Sequence, residues 1–287
     1  MGVIIIQIRR PLLIILVFVI AISFIITNNT KNNEEINDKI ITIQGIVKGK
    51  IEKKRYNQYK VGVFLINDYT KNKNLKIGQK VNITGKFKSL DKMKYDDFDY
   101  GRYIKSTGYK GIVYINNYKI IDKNKFYSLI GEIKFYISKT YRYLYKKNSD
   151  FINSILLAEV ENLSEEQKEI FTRTGTSHVI SISGLHTGIL CIIISFLLRG
   201  INKLYKLLIL SIFITLYCIM VGASPSIIRS IAFVMIFYLS IFIDRKKDGI
   251  SALSLIGIIL IMNNPYVIYN VSFQLSFLAT LSILIFY

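Results

Sequence analysis

Two groups of residues have types and spacings that could do chemistry. The first is a polar cluster set in an otherwise apolar stretch. It comprises Ser177, His178, Ser181, Ser183, Gly184, His186 and Thr187, then Arg229 four residues after Pro225, then Asn270, Ser272, Gln274 and Ser276. His178 and His186 are too far apart in sequence for the i, i+4 spacing of a helical metal pair; on a straight helix they stand about 80° apart. Ser183 and His186 could in principle pair as nucleophile and base, but no neighbouring acid would orient the imidazole. From residue 176 onward the only carboxylates are Asp244 and Asp248, both in a basic loop. That disfavours a carrier relaying protons through intramembrane acids, a metalloprotease and a two-metal nuclease, which need carboxylates or histidines in number. No metal site, cofactor or enzymatic activity is assigned. A neutral-to-positive polar interior suits an anion, and the Arg229 guanidinium suits phosphate better than a lysine would.

The second group is basic and aromatic: Lys53, Lys54, Arg55, Tyr56, Tyr59 and Lys60. Cations that attract phosphates beside rings that can stack on bases are the ingredients of sequence-tolerant single-stranded nucleic-acid binding.

The elements that must position these residues follow from how charge and apolarity are distributed. The 287 residues are 51% hydrophobic yet carry a formal charge of +19, a combination rare in one soluble domain and resolved by segregation. Residues 11–26 are apolar except for Ser23 and follow Arg9 and Arg10, so 1–27 reads as an uncleaved transmembrane anchor. Residues 28–125 hold 22 basic and 10 acidic side chains, a net of +12. Short alternating runs at 40–50, 56–66, 80–87 and 109–115, separated by Gly, Asn and Lys, predict a small antiparallel β-domain of the OB-like kind. Residues 126–175 read as amphipathic, interfacial helices, with a capping box at Ser164–Gln167 and a stop at Gly175. Residues 176–287 read as a bundle with candidate spans at 177–198, 204–222, 225–243, 250–262 and 266–287. The expected fold is therefore an α-helical polytopic membrane protein of about six transmembrane helices with an inserted extracytoplasmic β-domain. Basic loops at 199–206 and 244–248, together with Arg9 and Arg10, place the N-terminus in the cytoplasm and the β-domain outside.

The run Thr172-Arg173-Thr174-Gly175-Thr176-Ser177-His178-Val179-Ile180-Ser181-Ile182-Ser183-Gly184-Leu185-His186-Thr187-Gly188 resembles the signature of the ComEC family of DNA-internalisation competence proteins. Gly222-Ala223-Ser224-Pro225-Ser226-Ile227-Ile228-Arg229 is similar to that family's G-x-S-P-S-x-x-R turn. Asn264-Pro265 with Ser272-Phe273-Gln274-Leu275-Ser276-Phe277, and upstream Phe98-Asp99-Tyr100-Gly101-Arg102-Tyr103-Ile104, resemble two further family segments. The resemblance implies a cell-membrane channel component passing single-stranded DNA into the cytoplasm during transformation. Its partners would be the lipid bilayer, an extracytoplasmic DNA receptor and a cytoplasmic motor ATPase. It makes His178, Ser183, Gly184, His186, Arg229 and Gln274 candidate pore residues, to which the polar pattern adds Ser181. Family members usually have more transmembrane helices, so a chain stopping in the apolar run 282–287 reads as a fragment or truncated frame. A small-anion channel and an inactive remnant are the alternative readings.

Overall fold

The computed structural model describes residues 10–29, 37–53, 55–71, 74–95, 98–176, 184–222, 227–228, 231–232, 235–236 and 248–286. Five long strands close a barrel: β1 (Ile40–Glu52), β2 (Asn57–Val61), β3 (Phe64–Asp68), β4 (Gln79–Lys88) and, after the short hairpin of β5 (Lys94–Tyr95) and β6 (Phe98–Asp99), β7 (Gly111–Lys123). The order is β1-β2-β3-β7-β4, with β1 closing on β4 and β3 running parallel to β7. This barrel is compatible with the OB-like form.

Alternation drives it. In β4, Val81, Ile83 and Phe87 point inward and meet Val47, Tyr59, Val61, Ile66, Val113 and Ile115 in one core. The run 56–66, which reads as one strand in sequence, is a hairpin: Gly62 takes φ +57° and turns the chain so that Val61 faces Phe64. At Gly85, where the β4–β7 register shifts, a Cβ would collide with the Tyr114 carbonyl, so glycine permits the close approach that closes the barrel.

Between β6 and β7 lies α1 (Tyr100–Ser106), capped by Asp99, whose side chain accepts from the Arg102 amide. It packs Ile104 against Leu65, Leu90, Met93 and Ile112 in a second, smaller core on the outside of the barrel. Next come α2 (Lys125–Tyr145), α3 (Ser149–Leu157) and α4 (Glu165–Arg173). The capping box forms as its sequence predicts, Ser164 Oγ accepting from the Gln167 amide at 3.1 Å and Gln167 Oε1 from the Ser164 amide at 3.0 Å.

The apolar helices are αN (Pro11–Asn29), α5 (Gly184–Leu197), α6 (Lys203–Val221), α7 (Gly249–Asn263) and α8 (Val271–Phe286). Here the polytopic expectation of about six spans is corrected. Among the described residues only αN and α6, each of 19 residues, are long and apolar enough to cross a membrane. The helices α5, α7 and α8 have 14, 15 and 16 residues. At ~1.5 Å per residue they reach about 21–24 Å, short of a hydrocarbon layer of about 30 Å. The apolar runs that suggested further spans are interrupted by Asn264 and the 3-10 turn Pro265–Tyr269, and the candidate span 225–243 lies largely outside the described residues. The architecture is a closed five-stranded barrel joined to apolar helices, two of them of spanning length.

Helix αN packs along α7 and, with Leu16, Ile256, Ile261, Val267 and Phe273, forms an apolar core. The two run in the same sense. Arg10, at the start of αN, lies 3.5 Å from Asp248, which caps α7. Asn28, near the end of αN, accepts from Arg102 of the barrel's α1 at 3.2 Å. On their outer faces αN exposes Ile14, Val17, Phe18 and Ile25, and α6 exposes Leu208, Ile212 and Phe213. Such rows are what lipid covers and what a soluble domain buries.

Candidate nucleic-acid interface

The basic-aromatic group falls on one rim of the barrel. The register Asn57↔Asp68 sets Tyr56 opposite Tyr69 just beyond the paired ends of β2 and β3, and their ring centroids are 4.8 Å apart. The parallel pair Asn67↔Tyr114 brings Tyr114 alongside, 5.8 Å from Tyr69. Lys53 completes the row. Its amine donates to the Tyr56 hydroxyl at 3.1 Å and stands 5.1 Å from that ring's centroid. Burial opposes its charge, but the Tyr56 hydrogen bond and the Glu161 carboxylate hold its pKa above the ordinary lysine value.

The other members of the predicted group part company. Arg55 is exposed beside the row, and Lys54 lies outside the described residues. Tyr59 points the other way, fully buried in the barrel core, so its ring is out of reach of a ligand. Strand alternation decides this: Tyr56 and Gln58 share one face, Tyr59 the other. Lys60 returns to the outer face, where its amine approaches within 3.7 Å of the place a Cβ on Gly222 would occupy. Burial lowers its pKa. Tyr114 is the residue that the sequence reading passes over, while Tyr69, one of the region's aromatics, joins the row through the fold. Their membership depends on cross-strand register, which the sequence signals only through the hairpin at Gly62.

A second cluster fastens the barrel to the helices. Asn264 Nδ2 donates to the carbonyls of Lys105 at 2.8 Å and Ser106 at 3.2 Å. Asn270 Nδ2 donates to Ser106 Oγ at 3.1 Å, a fully buried contact. The Arg102 guanidinium lies 4.9 Å from the Tyr269 ring centroid, and the Lys105 amine 5.0 Å from that of Tyr266. From αN, Ser23 Oγ donates to the Pro265 carbonyl at 2.7 Å and Thr27 Oγ1 meets the Tyr269 hydroxyl at 2.9 Å. The segments 98–104 and 264–277, recognisable separately in sequence, are thus two sides of one joint.

Of the candidate pore residues, His178, Ser181, Ser183 and Arg229 lie outside the described residues. Gly184 begins α5, and His186 sits half-buried two residues on. Gln274 is exposed on α8, its Nε2 donating to the Ile268 carbonyl at 2.7 Å and so tying down the 3-10 turn. The structure does not bring Gln274 and His186 into one described site. Among the described residues no His, Cys, Asp and Glu side chains cluster in a way that could hold a metal ion.

Residues 155–287 match the family described as Competence protein. ComE operon protein 3 of Bacillus subtilis is 26% identical over 161 residues, covering 55% of this chain and 21% of that protein. A protein of Aquifex aeolicus, described as uncharacterized, is 30% identical over 125 residues, covering 43% of this chain and 30% of that one. The matches therefore span under a third of these relatives' length. Among solved structures, an aspartyl tRNA synthetase from Entamoeba histolytica aligns at a TM-score of 0.24 and 11% identity, covering 56% of this chain and 34% of that one; a likeness that low carries no argument.

Proposed function

We propose that the chain is a membrane component of single-stranded DNA uptake during transformation, on the match of residues 155–287 to the family described as Competence protein. The observation that carries the reading is the joint. A basic barrel whose rim bears three tyrosines and Lys53 is fastened, through Asn264 and Asn270, to the competence-family segment itself.

The charge distribution supports the same reading. The region 28–125 carries +12 of the chain's +19, and a basic vestibule raises the local concentration of a polyanion before any specific contact forms. We place the barrel outside the cell membrane and Arg10 with Asp248 on the cytoplasmic side, because these two sets of contacts lie at opposite ends of αN. Lipid would cover the exposed apolar faces of αN and α6. An external DNA receptor would deliver the strand, and a cytoplasmic motor ATPase would draw it in. The chain itself needs only to bind and guide, so no enzymatic step or cofactor is invoked.

The test is transformation. In cells where the gene is disrupted, frequency should collapse while labelled DNA still accumulates at the surface, and the intact gene should restore it. Unchanged transformation in the disrupted strain would refute the proposal.

A further inference from the structure

We propose that Tyr56, Tyr69 and Tyr114 form a stacking platform for the bases of a single DNA strand, with Lys53 at its end to hold a phosphate. The inference rests on the single-stranded DNA reading and names the surface that would do the reading's first step.

The geometry limits how such a platform works. Successive ring centroids lie 4.8 and 5.8 Å apart, with the planes tilted by 31° and 33°. A base slipped between two rings would need about 7 Å, twice a carbon contact distance of about 3.5 Å. Bases therefore stack on the outward faces and do not intercalate. Tyr69, in the middle of the row, is 56% exposed, so it is the platform's most accessible member. Lys53 covers one face of Tyr56 and thereby ends the row.

Placement argues that this is more than chance crowding. Tyr59, one strand position out of phase with Gln58, is spent on the barrel core, and Phe64 and Phe87 pack edge to face as part of that packing. Tyr56 precedes β2, Tyr69 follows β3 and Tyr114 lies within β7, where it also packs against the smaller core; the three meet only because the β2–β3 and β3–β7 registers bring them together. Every base has a π face, so the platform recognises no sequence. It does require bases that are free to leave a duplex stack. Glu161 sits within electrostatic reach of Lys53 and of Lys60, so the platform's basic end is kept near an acidic neighbour that a phosphate must compete with.

The experiment uses the full chain in lipid nanodiscs and two fluorescent oligonucleotides of equal length, oligothymidylate and a fully abasic strand, read by anisotropy at low salt. The wild-type chain should bind the base-bearing strand more tightly. Tyr69→Ala should weaken that binding about fivefold or more, the effect of losing one stacked base at about 1 kcal/mol, and leave abasic binding unchanged. Tyr69→Phe should restore it, since the ring and not the hydroxyl acts. Equal wild-type affinity for the two strands, or equal losses for both with Tyr69→Ala, would overturn the platform while the DNA reading stands. Binding of neither strand by wild type would remove both. Thermal unfolding of Tyr69→Ala within a degree or two of wild type separates lost stacking from lost fold.

Discussion

Asn264 and Ser106 are 158 residues apart in the chain, yet the Asn264 amide donates to the Ser106 carbonyl at 3.2 Å and, beside it, to the Lys105 carbonyl at 2.8 Å. These are the last carbonyls of α1; that of Lys105 already accepts from the Gly108 amide at 2.9 Å, and Asn264 adds a donor to each. Asn264 thus acts as a remote C-cap supplied by a different part of the fold. Its Oδ1 simultaneously accepts from the Tyr266 amide at 3.1 Å and starts the 3-10 turn. One side chain sets both the end of a barrel helix and the beginning of the turn that faces it.

Asn264→Ala removes both functions. The Lys105 carbonyl keeps the Gly108 amide, but withdrawing the donor from the part-buried Ser106 carbonyl costs about 1–3 kcal/mol, so thermal stability should fall by several degrees. Amide exchange should accelerate in α1 and the 3-10 turn and not in β1 or β4. Unchanged exchange in α1 would show that the apolar contacts around Ile104 hold the joint without Asn264.

The Arg10–Asp248 pair predicts sidedness. With Cys191 and Cys218 replaced by serine, a single cysteine at Ser251 should react with an impermeant maleimide only after the cytoplasmic face is opened. One at Tyr69 should react in intact cells. Reaction of both from one side would contradict the orientation proposed for αN.

How much of this was legible in the sequence depends on the range of the interaction concerned. The alternation of Val81, Ile83 and Phe87 marks β4 unaided, and Ser164 with Gln167 declares a helix start, because both are local rules. The hairpin inside 56–66 is harder, since Gly62 sits between Val61 and Val63 with none of the Asn, Asp or Pro that usually mark a turn. The number of spans differs for a related reason: apolarity resumes at Tyr266 and runs through Val267 and Ile268, while the 3-10 turn Pro265–Tyr269 delays the helix to Val271. Composition reports what lipid or core would accept, whereas helix length depends on where capping groups stop the chain. The joint and the tyrosine row are illegible locally, because each depends on register or on a partner more than forty residues away.

Lys60 makes a prediction with opposite signs for stability and binding. Burial disfavours its charged form, with Glu161 only partly offsetting this, so its folded pKa lies below the ordinary 10.5. Between that lowered value and 10.5 the unfolded chain binds more protons than the folded one, so this residue's contribution to stability rises with pH across the window and levels off above it. Lys60→Met keeps the aliphatic stem and removes the burial penalty. It should stabilise the fold by about 1 kcal/mol at neutral pH and flatten the alkaline rise in melting temperature, while weakening oligonucleotide binding. A destabilised Lys60→Met protein would mean that the amine has a partner worth more than its desolvation.

Lys53 is placed to touch phosphate, which makes its effect measurable apart from the rings. The affinity of a single strand falls with salt in proportion to the phosphates neutralised, about 0.7 in the log–log slope for each contact. Lys53→Gln should therefore reduce the slope of oligonucleotide binding by about that amount, and should do so for base-bearing and abasic strands alike. Tyr69→Ala should leave the slope unchanged while lowering affinity for the base-bearing strand at every salt concentration. If Lys53→Gln lowers affinity with no change of slope, the amine serves to orient Tyr56, to which it donates at 3.1 Å, and the strand's phosphates are held elsewhere on the barrel.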